Sequence, residues 1–178
     1  TASGTGFQWQ VNTGSGWNDI GGATTNSINI PSVTLAMNGY QYHVIVFGTC
    51  GNVTSDPATL TVNALPAVFT VTGGGAFCSG PGVPVGLNGS QSGVNYQLLR
   101  NGSNTGSPVA GTGAAISFGN QNVNGTYTVV ATNNTTTCSN TMTGSVAVSG
   151  GAAPTTFNVT SAGTFICGGI GPVVSLSG

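Results

Sequence analysis

The stretch YQYHVIVF, residues 40–47, places large apolar side chains at alternate positions, with Tyr42, Val44 and Val46 on one side. This period of two is typical of a half-buried β-strand, because successive side chains of a strand point to opposite faces. The stretch FQWQV, residues 7–11, has the same alternation. Both stretches therefore predict strands that bury one face.

Turn signals separate these and other short apolar runs along the chain. The sequence NTGSG, residues 12–16, has the composition of a hairpin loop, and Asn101-Gly102 is the two-residue signal for a tight hairpin turn. Short strands recur at roughly ten-residue spacing, and no window keeps apolar residues at helical spacing. The pattern predicts an all-β chain built as antiparallel β-sandwiches.

The composition excludes several classes of function. The 178 residues include one Lys or Arg and two Asp or Glu, so that 2% of the chain is charged, against roughly 25% in an average soluble domain. Binding to nucleic acid or to an anionic membrane surface needs several basic side chains to neutralise phosphates, and this chain lacks them. No apolar run reaches the roughly 18 to 20 residues of a membrane span. We therefore expect a soluble segment without nucleic-acid partners.

Two internal repeats set the domain organisation. Residues 49–73 superpose on residues 137–161 without a gap, which places Cys50 on Cys138 at an offset of 88 residues. Residues 76–89 match residues 165–178 at an offset of 89. The chain therefore contains two periods of a repeat, cut inside a domain.

The repeat predicts one complete domain between two partial ones. The segments are later strands (1–62), a linker (63–66), a complete domain (67–149), a second linker (150–154) and the first strands of a further domain (155–178). Joined head to tail, the two partial domains would make a second complete one. The last segment is therefore a candidate for completing the sheet of a neighbouring copy, through Phe157, Val159, Val173 and Leu176.

The four cysteines are expected to form disulfides. Cys78 and Cys138 flank the core strands of the complete domain and are the expected intradomain pair, while Cys50 and Cys167 would form the same bridge with the adjacent copy. Four cysteines allow three pairings, and the sequence does not choose among them. Zinc would need closer Cys or His spacing, so we expect no metal. Persistent disulfides indicate an oxidising, extracellular compartment.

The longest stretches of the chain resemble a known family. Residues 7–62 resemble the immunoglobulin-like repeats of large cell-surface proteins of Bacteroidota, many of them substrates of type IX secretion. Residues 71–102 and 125–146 resemble a companion repeat in the same proteins. The resemblance implies tandem Greek-key immunoglobulin-like sandwiches of about 88–89 residues, in rod-like extracellular arrays.

No set of residues in the sequence predicts catalysis. Asp19 and Asp56 are distant carboxylates, and His43 is expected on the solvated side of its strand. Hydrolysis by a nucleophile needs a base that a third group positions, and a carboxylate pair needs two acids held close together. We therefore expect no enzyme activity, no catalytic residue and no cofactor.

The aromatic residues divide into core and candidate contact positions. The core is expected to include Trp9, Leu98 at the matching position of the second repeat, Tyr42 and Tyr127. Trp17 and Tyr40 are the candidate contacts for a ligand, because aromatic side chains near loops can stack on sugars.

Three functions from different classes remain open. The chain is interpreted first as a structural repeat of an extracellular fibre or adhesin stalk, joined head to tail to neighbouring copies, with surface glycans or lateral fibre partners as further candidates. A separate pilin-like subunit that polymerises through residues 155–178 is one alternative. A carbohydrate-binding accessory module is the other.

Overall fold

A computed structural model of the chain describes residues 6–161 and 174–176. Within these ranges the regular structure is β-strand apart from a single turn of 3-10 helix, Leu35–Met37. The strands up to residue 59 are β1 (Gly6–Asn12), β2 (Trp17–Asp19), β3 (Gln41–Gly48), β4 (Gly51–Thr54) and β5 (Ala58–Thr59).

Ten strands lie between residues 71 and 150. They are β6 (Val71–Gly73), β7 (Gly75–Phe77), β8 (Val83–Leu87), β9 (Val94–Arg100), β10 (Ser103–Asn104), β11 (Val109–Ala110), β12 (Ile116–Gln121), β13 (Gly125–Asn133), β14 (Ser139–Thr141) and β15 (Val146–Gly150). A final hairpin consists of β16 (Val159–Ser161) and β17 (Val174–Leu176). The chain forms two compact units, residues 1–68 with 93–95 and 131–140, and residues 69–92 with 96–130 and 141–178.

The first sheet has the strand order β2-β1-β3-β4, with β5 also paired to β3. The antiparallel register places Trp9 opposite Val44 and Val11 opposite Tyr42. Residues directly opposite each other in an antiparallel pair share a face, so the alternating apolar positions of both strands gather on one side. This is the half-buried face that the sequence predicts.

The residues from β6 to β15 form two sheets that together make a sandwich. One sheet has the order β10-β9-β13-β15-β7, and the other has the order β12-β8-β6. Because β7 pairs in parallel with β15 while β6 pairs with β8, the first strand segment of the domain crosses from one sheet to the other. This Greek-key arrangement is the order of an immunoglobulin-like domain.

The core of this sandwich consists of side chains at alternate positions of both sheets. Tyr96 and Leu98 of β9 and Tyr127 and Val129 of β13 are buried on one sheet, and Val71, Val85, Leu87 and Ile116 are buried on the other. The Tyr127 hydroxyl donates a hydrogen bond to the Val123 carbonyl at 2.8 Å. This contact resembles the tyrosine corner of immunoglobulin-like domains.

The turns follow from local sequence. Asn101 and Gly102 both have positive φ, at 49° and 83°, which is the conformation of a type I′ turn between β9 and β10. The side-chain oxygen of Asn12 accepts hydrogen bonds from the amides of Gly14 and Gly16 and closes the β1–β2 hairpin. The predicted all-β, immunoglobulin-like sandwich fold is confirmed.

Candidate functional site

Strands β16 and β17 repeat the β6–β8 pair of the complete sandwich residue for residue, and each pair is called a hairpin although β7 lies between β6 and β8 along the chain. In the complete domain, β6 pairs with β8 so that Val71 lies opposite Leu87. At the end of the chain, β16 pairs with β17 so that Val159 lies opposite Leu176. Val159 and Leu176 are also the sequence counterparts of Val71 and Leu87 at offsets of 88 and 89. Strands β16 and β17 are therefore a second copy of the β6–β8 strand pair.

The two hairpins differ in burial. Val71 and Leu87 expose 6% and 1% of their surface, whereas Val159 and Leu176 expose 69% and 66%. Phe157 and Val174 are exposed as well. Exposed apolar side chains grouped on one element mark an interaction surface more often than isolated ones do.

The sheet of residues 6–59 has an apolar face that is incompletely covered. Its apolar face, including Phe7, Trp9 and Val11, is only partly buried along the whole of β1. In the complete sandwich, the strand corresponding to β1 is β9, where Tyr96 and Leu98 stand at the positions of Phe7 and Trp9 and are almost fully buried. The described residues of this first unit supply no counterparts of β6 and β8.

Two apolar grooves open on this face. The first has a volume of about 290 Å³ and is lined by Val11, Thr13, Ile20, Ile28, Asn29, Ile30, Pro31, Met37, Tyr40 and Tyr42. The second has a volume of about 240 Å³ and is lined by Trp9, Ile28, Ile30, Tyr42, Ala58, Thr59 and Leu60. The two grooves therefore flank a common ridge that consists of the residue 28–30 segment and Tyr42.

The residue 28–30 ridge matches the start of strand β12 in sequence, although these residues form no strand in the first unit. Ile28 stands 88 residues before Ile116 in the sequence, and Ile116 lies opposite Leu87 in the complete domain. Sequence reasoning missed Ile28 and Ile30 as site residues. The repeat offset, together with the alternation of SINI at residues 27–30, was the signal that could have found them.

The opposite face of the first sheet carries a polar and aromatic cluster. Trp17 stacks on His43 with ring centroids 3.6 Å apart. A ring nitrogen of His43, Nε2, lies 2.7 Å from Gln10 Oε1, and Gln10 Nε2 donates to Asp19 Oδ1 at 2.7 Å. Because the Gln10 amide nitrogen is used as a donor, its oxygen accepts, and His43 Nε2 carries the proton.

This cluster corrects the expectation for His43. The residue does point away from Tyr42 and Val44, but the Trp17 ring covers it, so that His43 exposes 8% of its surface. Alternation along β3 predicted on which face of the sheet His43 lies. It did not predict that Trp17 covers His43, because Trp17 belongs to a different strand.

The structure places the candidate ligand contacts on different sides of the sheet. Trp17 belongs to the cluster with His43, whereas Tyr40 lines the larger groove. Trp17 is exposed to 37%, but its stacked ring face is occupied by His43. The two residues therefore do not form a joint aromatic platform for a sugar.

The remaining predicted core residues are buried or half-buried. Trp9 is half-buried, lines the smaller groove and donates from Nε1 to the Thr25 carbonyl at 3.0 Å. Leu98, Tyr127 and Tyr42 are buried. Burial raises the pKa of the Tyr42 hydroxyl, and the charge of the neighbouring Tyr40 adds to this rise.

The cysteine positions do not fit the expected Cys78–Cys138 bridge. Cys50, Cys78 and Cys138 are free thiols. Cys78 directly follows strand β7. Gly75 of β7 lies opposite Val148 of β15, and Val148 lies opposite Gly125, the first residue of β13. The backbone carbonyl of Cys138 accepts a hydrogen bond from the backbone amide of Asn133, the last residue of β13.

The length of β13 therefore separates the two cysteines of the complete domain. Eight steps along a strand span roughly 27 Å, whereas a disulfide requires Cα atoms about 4.4–6.8 Å apart. The predicted intradomain bridge is accordingly not formed in this structure. Cys167 of the second predicted pair, like Val173 of the terminal segment, lies outside the described residues.

Residues 6–161 and 174–176 contain no cluster of three or more His, Cys, Asp or Glu side chains suited to a metal ion. In the same part of the chain, no helix is long and apolar enough to cross a membrane.

Comparisons with known proteins add little to this description. No family model matches the sequence, and no curated protein is significantly similar to it. Among solved structures, the chain is similar to the FN1–FN3 domains of chicken CNTN1, with a TM-score of 0.28 and 15% identity over 88% of this chain. The match spans 61% of the CNTN1 chain. The immunoglobulin-like assignment therefore rests on the strand order and register given above.

Proposed function

We propose that this chain is a non-enzymatic structural repeat of a long extracellular fibre or adhesin stalk, in which copies are joined head to tail. The observation that carries the proposal is the terminal hairpin, whose register equals that of β6–β8 while its apolar side chains are exposed. Such a strand pair would supply the first strands of a sandwich whose other strands belong to the next copy; this contact between copies is called the joint. The open face of residues 6–60 is the other side of the joint.

The repeat alignment specifies how the joint is made. In the complete domain, Ile116 of β12 lies opposite Leu87 of β8. The equivalent pair in the joint is Ile28 of one copy and Leu176 of the preceding copy. The β17 strand would then lie along the residue 28–30 ridge, between the two grooves that flank it.

A second contact fixes the start of the donated strand. Phe69 packs edge-on against Tyr96 in the complete domain, with ring centroids 6.4 Å apart. Their counterparts are Phe157 and Phe7, which are exposed and half-buried respectively. Phe157 of the preceding copy therefore completes the partly covered end of β1.

Magnitudes favour one continuous polypeptide over separate subunits. Burial of Phe157, Val159, Val174 and Leu176 would contribute roughly 6–12 kcal/mol, at about 1.5–3 kcal/mol for each side chain. Association of independent subunits costs an estimated 4–15 kcal/mol in lost freedom. A covalent linker avoids most of that cost, although strand-complementing subunits would use the same joint.

The cellular setting follows from the sequence resemblance. An extracellular bacterial surface, in the manner of the type IX secretion substrates of Bacteroidota, suits a chain with 2% charged residues and repeated sandwiches. A fibre of this composition would keep its dimensions when the salt concentration changes, since it has little charge to screen.

Amide hydrogen exchange on a tandem protein of two copies tests the joint. The hairpin of the first copy has a neighbour to complete, whereas the hairpin of the second copy is at the chain end and serves as the control. We expect slow exchange at residues 159–161 and 174–176 of the first copy alone. Equal, fast exchange at both hairpins would overturn the proposal.

The native material distinguishes the two forms of the fibre. Denaturing size analysis with and without reductant should show a species far larger than 17.4 kDa that survives reduction if the repeats are continuous. Collapse to the size of a single repeat would instead identify separate subunits.

A further inference from the structure

We propose that Cys78 of one copy forms a disulfide with Cys50 of the next copy, across the head-to-tail joint. This inference rests on the proposed function and adds a covalent bridge to it. It also replaces the intradomain pairing, which the length of β13 prevents. Cys50 and Cys78 are both exposed free thiols, so neither has a competing partner among the described residues.

Cys78 is held at the end of the complete sandwich from which the chain leaves for the next domain. Its neighbour Phe77 lies opposite Gly150, the last residue of β15, and the Phe77 carbonyl accepts a hydrogen bond from the Gly151 amide at 2.9 Å. The linker 150–154 therefore starts directly beside Cys78.

Cys50 is held at the end of its domain where the linker arrives. The complete domain shows the geometry through its own counterparts, since the Asn140 amide donates to the Pro66 carbonyl at 2.9 Å. Asn140 and Pro66 correspond to Asn52 and Pro154 at the offset of 88. We therefore expect the Asn52 side chain of the next copy to donate a hydrogen bond to the Pro154 carbonyl. Asn52 is two residues from Cys50, so this bond brings Cys50 close to the linker.

The linker is short enough to bring the two thiols to one junction. Residues 151 to 154 span at most about 11 Å when fully extended, at roughly 3.3–3.6 Å per residue. Gly151 at the start of this linker is free to adopt a turn conformation. One cysteine from each side therefore faces the same gap.

Closure of the bridge is an oxidation by thiol–disulfide exchange. The Cys50 and Cys78 thiols lose two protons and two electrons, and the S–S bond forms between their sulfur atoms. The acceptor is the disulfide of an oxidised thiol–disulfide oxidoreductase or, in vitro, oxidised glutathione, which is reduced to two thiols. The bridge requires an oxidising compartment, as proposed for the fibre.

The tandem protein of two copies provides the test, with Cys78→Ser in the first copy and Cys138→Ser in the same copy as the matched control. After oxidation with glutathione, alkylation and mass spectrometry of peptic peptides should show Cys78 of the first copy linked to Cys50 of the second. The Cys78→Ser change should convert Cys50 of the second copy from alkylation-resistant to alkylated. The Cys138→Ser change should leave this link intact.

Hydrogen exchange on the same samples separates the two proposals. If the first hairpin is protected but Cys50 of the second copy is free or linked to another cysteine, the bridge is refuted and the joint stands. If the first hairpin exchanges as fast as the terminal one, the joint itself is refuted. A Cys78–Cys50 link with a protected hairpin supports both.

Discussion

The β6–β8 and β16–β17 hairpins have the same register and almost the same inward side chains, yet one is buried in a core and the other faces solvent. The difference lies in the strands that come after each hairpin along the chain. Strands of the opposite sheet, including β9 and β13, come after β8 and cover its apolar face, whereas β17 is the last described strand. Pairing between two strands therefore sets the register, and the third partner determines whether the pair is stable, since an isolated hairpin is marginal in water.

The largest expected effect comes from a charge placed on the inward face of the donated hairpin. In the tandem protein, Val159→Asp in the first copy should abolish the calorimetric transition of the completed domain, because an unpaired carboxylate would be buried at the joint. The transition of the complete domain, residues 67–149, should persist.

Thr160→Asp in the same strand is the matched control. Thr160 corresponds to Thr72, which is exposed in the complete domain, so the added charge would remain in water. Loss of the joint in both variants, or in neither, would contradict the assigned register.

A second comparison measures the same side chain in the two environments. Leu87→Ala should lower the free energy of unfolding of the complete domain by about 2–5 kcal/mol, because a core leucine leaves a cavity. In a single copy, Leu176→Ala should change the free energy by less than about 0.5 kcal/mol, as is usual at exposed sites. Chemical denaturation measures both.

The tandem protein sharpens this comparison. Leu176→Ala in the first copy should approach the cost of Leu87→Ala once the joint is formed, while the same change in the second copy stays neutral. Equal effects at the two Leu176 positions would show that the hairpin is not donated.

A smaller effect is expected on the other face of the first sheet. Trp17→Ala should destabilise the first unit by about 0.5–1.5 kcal/mol beyond the lost buried area, because the ring stacks on His43. Trp17→Phe keeps a ring at the same place and is the control. The His43 ring resonances in NMR spectra should shift strongly in Trp17→Ala only.

The sequence predicted the strands, the hairpin turns and the sandwich, because alternation and turn residues act locally. Period two assigned Trp9 and Val11 to one face of β1 and Tyr42 to one face of β3, and the register shows that these are the same face of the sheet. The repeat offset indicates that the first unit lacks the strands equivalent to β6 and β8, and this stays a prediction. It did not predict the cover over His43, which depends on a neighbouring strand.

The spacing of two cysteines along the chain does not predict a disulfide when the strand topology holds them apart. Cys78 and Cys138 flank the core strands in sequence. In the structure, however, Cys78 lies near the start of β13 and Cys138 near its end, so the length of this strand separates them. Only the strand register, which the sequence does not contain explicitly, places the two thiols at opposite ends.

The smallest expected effect concerns Tyr42, which lies on the ridge between the grooves. Burial raises its pKa, and the charge of Tyr40 adds to the rise. The unfolded chain therefore loses this proton first, at the ordinary tyrosine pKa of about 10, so the stability of the first unit should fall as the pH rises from there towards the folded pKa. Tyr42→Phe should flatten this alkaline loss in denaturation curves of the first unit. Completion of the joint would bury Tyr42 further, so ultraviolet titration should place its pKa higher in the second copy of the tandem protein than in a single copy. An unchanged Tyr42 titration would mean that the donated strand does not reach the ridge.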